Sequence, residues 1–234
     1  GWGVVEREKD VFAFSERHDQ VVERSQALGI EPLLILDYAN KFYDDGNYPA
    51  SAEAIAGYAR YAGEVARRYR GRVNLYEVWN EYTGGCGMKG KPKSVPEVYA
   101  RMIEPTWKAL KTVDPEIQVV GIGGDNPRHD KHREAMDRML GAGAVRFMDA
   151  GSIHCYRYPL DPETSGYVED ILATRALFEK HGGAQRLWIT EIGWPTQLDA
   201  RGSTRAESAR MLVRCHLLAM ASGWVDKVFW YDLM

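Results

Sequence analysis

Short apolar runs alternate with longer segments of helical periodicity along the whole chain. Six runs are apolar on both faces, as expected of strands buried within a sheet. They cover residues 31–38, 73–80, 117–124, 151–158, 187–194 and 227–234. The segments around them carry apolar residues at steps of three and four, the period of amphipathic helices. These helices are predicted over residues 14–28, 51–70, 96–112, 130–140, 167–181 and 205–221.

The regular alternation of buried strands and helices predicts a parallel sheet in an α/β fold. No low-complexity linker divides the chain, so we expect one domain over residues 1–234. A closed (β/α)8 barrel of the TIM type needs eight strands and roughly 250 residues. Six strands therefore suggest an incomplete barrel, in which strand one, most of strand two and the last helix have no counterpart. Residues Gly1-Trp2 would then form the tail of strand two.

A doubly wound nucleotide-binding sheet is the main alternative fold. Its Gly-rich fingerprint is only partly matched, because "GIGGDNP" at 121–127 lacks the third glycine. A tight turn explains this stretch better than a phosphate site.

Composition narrows the classes of function. The chain has 234 residues and a formal net charge of −3, with acidic and basic residues interspersed. That distribution argues against nucleic-acid binding. No run reaches the 18 apolar residues of a membrane-spanning helix, and the first ten residues have no apolar signal-peptide core. Three widely spaced cysteines do not form a disulfide framework.

Polar and aromatic side chains collect where the predicted strands end. In a parallel barrel, the carboxyl ends of the strands form the mouth that carries the reactive groups. We therefore expect a polar, aromatic-lined pocket above an apolar core. The residues concerned are Tyr38, Asn40, Asn80, Glu81, Tyr82, His154, Tyr156, Glu191, Trp194 and Trp230.

Two of these residues, Glu81 and Glu191, are carboxylates about three strand–helix units apart. Strands with that spacing face each other obliquely across a barrel mouth, so both side chains could enter one cleft. Paired carboxylates cleave glycosidic bonds when one is kept protonated and the other ionised. A single Glu after a strand is more often a surface residue or a capping partner, but two at corresponding ends favour a catalytic pair.

The motifs around these two residues resemble those of a known group of enzymes. "VWNEY" at 78–82 and "WITEIGWPT" at 188–196 are similar to the acid/base and nucleophile motifs of the retaining glycoside hydrolases of clan A. The segments "EREKDVFAFSERHDQVV", "GIEPLLILDYAN" and "FYDDG" most resemble glycoside hydrolase family 39 and its bacterial exopolysaccharide-cleaving relatives. The resemblance implies a (β/α)8 enzyme that needs no cofactor and no metal.

The resemblance also implies a role for each matching residue. Glu81 would be the acid/base and Glu191 the nucleophile. Asn80 would bind the 2-hydroxyl of the sugar, Tyr156 would donate to the nucleophile, and His154 would line the same wall. Trp230 would stack on a sugar ring. Trp194, Tyr38 and Tyr82 are expected at subsite walls, and Asn40 either binds a sugar hydroxyl or satisfies a backbone turn.

The sequence leaves two functions open: a retaining hydrolase of β-linked oligo- or polysaccharides, and a partial barrel that binds carbohydrate with weak or no turnover. Six parallel strands would leave two open edges, so self-association that covers them is a further expectation. The resemblance implies an extracellular or periplasmic location. His129 and His132 have a possible metal-ligand spacing, but an exposed helix start explains them better.

Overall fold

The computed structural model describes residues 1–86, 94–197 and 199–232, and its main feature is a six-stranded parallel sheet. Neighbouring strands in the chain are neighbours in the sheet, in the order β3 to β8. The strands are β3 (Leu33–Leu36), β4 (Leu75–Val78), β5 (Gln118–Gly121), β6 (Ala150–His154), β7 (Arg186–Ile192) and β8 (Val225–Trp230). Sequential parallel pairing of this kind is that of a TIM barrel, so the sheet is part of such a barrel.

A helix precedes each strand from β3 onward, as the helical periodicity predicts. The helices are α2 (Glu16–Ala27), α3 (Ala52–Arg68), α4 (Pro96–Val113), α5 (Asp130–Gly141), α6 (Tyr167–Lys180) and α7 (Arg205–Ala221). Their bounds lie within two residues of the predicted ones. Two of the helices begin at side-chain caps: Ser51 accepts a hydrogen bond from Ala54 N, and Thr204 forms a capping box with Glu207.

The chain begins with a short segment that differs from the predicted tail of a strand. Residues Trp2–Val5 form a short helix, α1, and the antiparallel strands β1 (Glu6–Glu8) and β2 (Val11–Phe12) follow. This segment still lies beside β3, where the tail of strand two was expected, because the Trp2 N–H donates to the Asp37 carbonyl at the end of β3. A helical turn replaces the strand there because the buried Trp2 ring stacks on Tyr43.

Two apolar clusters lie on the two faces of the sheet. The larger cluster packs the outer face against the helices. The smaller one fills the bottom of the barrel interior, with buried residues Leu75, Val120, Ala150 and Trp188. Because strand side chains alternate between faces, the residues two positions further along, Glu77, Ser152 and Thr190, occupy the next interior layer. All three are buried, so a polar layer lies between the apolar bottom and the mouth.

The strands end earlier than the apolar runs predict, since the backbone turns at the mouth. Trp79, Glu81 and Ile122 all have positive φ angles, which a continuing strand does not allow. The last two residues of the predicted run 227–234 lie outside the described residues. Within the described part of the chain, no helix is both long and apolar enough to cross a membrane.

Candidate active site

The two carboxylates predicted from the sequence meet at the mouth of the partial barrel, with a histidine between them. Glu81 follows β4, Glu191 lies in β7 and His154 ends β6. His154 Nδ1 is 3.1 Å from Glu81 Oε1 and 3.7 Å from Glu191 Oε2. One carboxylate oxygen of each glutamate and one ring nitrogen of His154 all lie within 4.8 Å of one another. The side chains of Glu81 and Glu191 remain 33% and 22% exposed, so both are open to a ligand.

The loop after β4 is held so that Glu81 points into the mouth. Glu81 has a φ of 46°, and its backbone N–H donates to the Gly123 carbonyl at 2.5 Å. The buried Asp125 carboxylate accepts hydrogen bonds from Thr83 N at 2.8 Å and Gly84 N at 2.9 Å. The Asp125 carboxylate thus binds backbone N–H groups that have no strand partner in this loop. Together with the hydrogen bond to Gly123, it holds Glu81 in its strained conformation.

A bulge in β7 brings two consecutive side chains into the barrel interior. The register pairs Ile153 with Ile189 and His154 with Glu191, so Thr190 is an extra residue on its strand. Bulges of this kind redirect side chains and are common beside active sites. Thr190 and Glu191 therefore both contact the groups around His154, which a regular strand would not permit.

His154 is fully buried and bonded at both ring nitrogens. Nδ1 contacts Glu81, and Nε2 lies 3.1 Å from the Thr190 hydroxyl. Burial alone would lower the pKa of His154, but the hydrogen bond to Glu81 and the charges of Glu77, Glu191 and Glu81 raise it above its usual value. The same hydrogen bond lowers the pKa of Glu81, although burial opposes it.

Glu191 has its own hydrogen-bond donor, as the resemblance implies. The Tyr156 hydroxyl donates to Glu191 Oε2 at 2.8 Å. Burial, together with the charge and hydrogen bond of Glu191, raises the pKa of Tyr156. Tyr156 therefore keeps its proton and remains a donor to the Glu191 carboxylate.

Aromatic rings form one side of a cavity of about 680 Å³ that is also lined by Tyr156, the donor to Glu191. The rings of Trp194 and Trp230 are stacked, with centroids 6.0 Å apart and an interplanar angle of 11°. Trp194 Nε1 donates to the Leu160 carbonyl at 3.0 Å, which fixes the ring orientation. Tyr156 lines the same cavity, so the aromatic wall is continuous with the carboxylate site.

Asn80, the residue before Glu81, lies beside Tyr38. Asn80 Nδ2 donates to the Tyr38 hydroxyl at 3.0 Å, and that hydroxyl also contacts Cys86 Sγ at 3.3 Å. Asn80 Oδ1 is buried and has no hydrogen-bond partner among the described residues. A buried acceptor of this kind needs a donor, and a ligand hydroxyl can supply one.

Two of the predicted binding residues are engaged elsewhere. Asn40 is 1% exposed, and its side chain donates to the Glu6 carbonyl and accepts from Phe42 N. It therefore satisfies the turn after β3, the alternative that the sequence left open. Tyr82 is fully buried, and its hydroxyl donates to the Val95 carbonyl at 3.3 Å. Its ring belongs to the core rather than to a subsite wall, because the backbone turn at Glu81 directs the next side chain inward.

Three residues of the site were not predicted from the sequence: Glu77, Thr190 and Asp125. The Thr190 hydroxyl donates to Glu77 Oε1 at 3.0 Å, beneath His154. Glu77 lies in the middle of an apolar strand and is fully buried. Glu77 could have been recognised from the sequence as a glutamate within an apolar strand, because glutamate is rarely buried without a partner.

Glu81, His154 and Glu191 also have the donor types of a metal site, and no other group of three such residues was found among the described ones. An ion there would have to replace the existing hydrogen bond between His154 and Glu81. We therefore interpret Glu81, His154 and Glu191 as hydrogen-bonded groups that share protons and not as metal ligands. His129 and His132 form no such group with a third described residue.

Gly124 is expected to be indispensable for the position of the His154 ring. Its φ is +70°, and a Cβ atom added there would overlap the imidazole around Nε2. The Gly124→Ala change should lower the free energy of unfolding by about 1–3 kcal/mol from backbone strain, with an added cost for displacing the ring. Chemical denaturation measures this loss.

Gly223→Ala is the matched control for this prediction. Gly223 also has a φ of +70°, but nothing lies within 4 Å of the added Cβ. It should therefore show the backbone strain alone. Equal losses of stability in the two variants would contradict the assigned contact between Gly124 and His154.

The fold has been seen in glycoside hydrolases. A family 39 glycoside hydrolase from the gut symbiont Bacteroides cellulosilyticus WH2 is 26% identical, with a TM-score of 0.79 over 99% of this chain and 49% of its own. A monomeric beta-xylosidase from Caulobacter crescentus CB15 is 18% identical, with a TM-score of 0.69 over 95% and 49%. A psychrophilic family 10 endo-beta-1,4-xylanase is 15% identical, with a TM-score of 0.67 over 97% and 74%.

The chain spans about half the length of the family 39 structure that it matches over 99% of its own residues. No protein-family model matches the sequence, and no curated protein matches it either. The likeness therefore rests on the arrangement of the strands and helices. The chain has the partial TIM-barrel fold of the clan A glycoside hydrolases, and it resembles those of family 39.

Proposed function

We propose that this chain carries the catalytic site of a retaining glycoside hydrolase that acts on β-linked oligo- or polysaccharides. The observation that carries the proposal is the spacing of the two carboxylates. An oxygen of Glu81 lies within 4.8 Å of an oxygen of Glu191. Retaining enzymes keep their carboxyl groups about 5–5.5 Å apart, whereas inverting enzymes need roughly 6.5–9.5 Å to admit a water molecule.

The environments of the two carboxylates support different roles. Glu191 accepts a hydrogen bond from Tyr156, which holds one oxygen and leaves the other free to attack the anomeric carbon. The pKa of Glu81 is lowered by its hydrogen bond to His154, and the pKa of His154 is raised, so the proton that Glu81 would use is held between the two groups. Glu81 would protonate the leaving oxygen in the first step and activate water in the second.

The surroundings of the pair suit a sugar. Carbohydrate rings present apolar faces that stack on aromatic side chains. Trp230 is partly buried and lines the cavity together with Tyr156, whereas Trp194 is 3% exposed and supports the Trp230 ring from behind. Asn80 Oδ1 is an unpaired acceptor next to Glu81, where a sugar hydroxyl would bind. A hydrogen bond to the 2-hydroxyl strengthens in the transition state and adds to catalysis.

The stereochemistry of the first product tests the proposal. The purified protein would be incubated with aryl β-xylosides, β-glucosides and β-galactosides, and with β-1,4-xylan and β-1,4-galactan. This choice follows the activities of proteins with the same fold, which include a beta-xylosidase, a xylanase and beta-1,4-galactanases. Proton NMR taken before mutarotation should show the β-anomer first.

The α-anomer as first product would exclude the retaining mechanism. Binding of a polysaccharide without release of reducing ends would instead favour the carbohydrate-binding function. The chain spans about half the length of its family 39 relative, which keeps that second function open. Isothermal titration calorimetry with xylo-oligosaccharides, run beside the reducing-end assay, separates the two.

A further inference from the structure

A line of buried hydrogen bonds runs from the barrel interior to the carboxylate pair. It joins Glu77, Thr190, His154 and Glu81 in that order, and its three contacts measure 3.0, 3.1 and 3.1 Å. Glu77 and His154 are fully buried and Thr190 is 6% exposed. Three members lie in strands of the sheet, Glu77 in β4, His154 in β6 and Thr190 in β7, and Glu81 follows β4.

With Glu77 ionised, the direction of each hydrogen bond follows from the number of protons available. Burial raises the pKa of Glu77, and the charge of His154 and the hydrogen bond from Thr190 oppose that rise. The Thr190 hydroxyl has one proton, and it donates this proton to Glu77 Oε1. The same oxygen can then only accept from His154, so Nε2 carries a proton. In a neutral imidazole the other nitrogen has a lone pair. The contact between His154 Nδ1 and Glu81 Oε1 therefore contains one shared proton.

We propose that Glu77 is a positioning residue that, through Thr190, fixes the protonated nitrogen of His154 and thereby the proton shared between His154 and Glu81. This inference rests on the proposed function, in which Glu81 is the acid/base. Glu77 touches neither the cleft nor a substrate, and it acts only through the two residues above it. Its Oε1 accepts from the Thr190 hydroxyl, and this is the hydrogen bond that links Glu77 to the site.

The shared proton gives a balanced account of both half-reactions. In the first, Glu191 forms a bond to the anomeric carbon, the glycosidic bond breaks, and the leaving oxygen takes the proton from Glu81. The terminal torsion of a glutamate is soft, so the carboxyl group can turn from His154 to the cleft. Glu81 is then ionised and faces the bare lone pair of Nδ1. Two opposed acceptors raise its basicity. In the second half-reaction Glu81 takes a proton from water, the water oxygen bonds to the anomeric carbon, and the bond from that carbon to Glu191 breaks and frees the carboxylate.

Several titratable groups lie around the pair of His154 and Glu81, and they influence how the shared proton titrates. They are Glu77 and Glu81 from β4 and its following loop, Asp125 after β5, Tyr156 after β6, Glu191 from β7 and His132 from α5. Glu77 is the one that reaches Nε2 through a hydrogen-bonded bridge. Loss of that bridge removes an acceptor and lowers the affinity of the His154–Glu81 pair for its proton.

Two measurements test the proposal: the titration of His154 without substrate, and the pH dependence of catalysis. Thr190→Val removes the bridging hydroxyl at nearly constant volume, Thr190→Ser keeps it, and Glu77→Gln removes the charge. Histidine-selective ¹⁵N NMR, assigned with His154→Asn, follows the ring nitrogens against pH in the absence of substrate. We expect Nε2 to be protonated throughout in wild type, and the titration to fall by about one pH unit in Thr190→Val and Glu77→Gln.

Activity provides the second measurement. The basic limb of the pH profile of kcat/KM should move to lower pH in Thr190→Val and Glu77→Gln. The rate at the optimum should fall roughly 10- to 100-fold, less than the loss expected from removing the acid itself. Thr190→Ser should restore both the limb and the rate. A merely structural role would lower the rate without moving the limb.

The two measurements separate this inference from the proposed function. A His154 titration that is the same in wild type, Thr190→Val and Glu77→Gln would overturn the role of Glu77, whatever the activity. The expected NMR shifts in a protein that hydrolyses no glycoside would support the fixed proton and overturn the hydrolase function. Circular dichroism melting of each variant ensures that folded proteins are compared.

Discussion

Replacement of Glu191 by alanine is expected to lower kcat/KM by about 10⁴-fold or more for every aryl β-glycoside that the wild-type protein hydrolyses. The reason is that no other described carboxylate shares the position bonded to Tyr156. Without a nucleophile no glycosyl-enzyme forms, so the reactivity of the leaving group cannot compensate. Initial rates with nitrophenyl and dinitrophenyl glycosides measure the loss.

Glu81→Ala is the matched comparison, because it removes a carboxylate from the same cluster. A protonated Glu81 matters only when the leaving oxygen is basic. We therefore expect a loss of about 10²–10⁴ in kcat/KM with an alkyl or sugar leaving group and a much smaller loss with dinitrophenolate. If Glu191→Ala kept its rate on the dinitrophenyl substrate while Glu81→Ala lost it, the two roles would have to be exchanged.

The sequence was sufficient to predict α2 to α7, β3 to β8 and the two central carboxylates, but not the short elements α1, β1 and β2. Continuous apolar runs identified β3 to β8, because strands with helices on one face and a filled interior on the other are apolar throughout. Glu81 and Glu191 were then recognisable as polar residues at corresponding strand ends. The order of the strands brings both strand ends to the same mouth, which is why the pair could be predicted before the side-chain directions were known.

The interior layer and the exact membership of the cleft depend on local backbone turns. Thr190 and Glu191 enter the site together only because of the bulge in β7, and a bulge leaves no clear mark in a sequence. Tyr82 faces the core and Asn40 the turn after β3 for the same kind of reason. Aromatic and amide residues at strand ends can turn either way: the positive φ of Glu81 turns Tyr82 inward, and hydrogen bonds to Glu6 and Phe42 hold Asn40 in its turn.

A second large effect is expected behind the site, at the buried ion pair between Arg157 and Asp170. Arg157 is fully buried, and it donates to the Asp170 carboxylate and to the Gly166 carbonyl. It also donates to the Tyr156 carbonyl at 3.3 Å, so it anchors the residue that bonds Glu191. The pair thus joins the start of α6 to the end of β6.

Asp170→Ala is expected to lower the free energy of unfolding by about 3–5 kcal/mol, because it leaves the Arg157 guanidinium buried without its countercharge. Denaturation by urea, followed by circular dichroism, measures the loss. The exposed pair of Arg175 and Glu179 on the same helix serves as the control. Arg175→Ala should change the stability little, since solvent screens that pair.

The double variant Arg157→Met with Asp170→Leu distinguishes the cost of an unpaired charge from the value of the pair. Apolar side chains of similar length need no desolvation, so the double variant should recover most of the stability lost in Asp170→Ala. Its activity should nevertheless remain lower than that of wild type, because the Tyr156 carbonyl loses its donor. If the double variant were as unstable as Asp170→Ala, the loss would arise from packing at the start of α6 and not from an isolated buried charge.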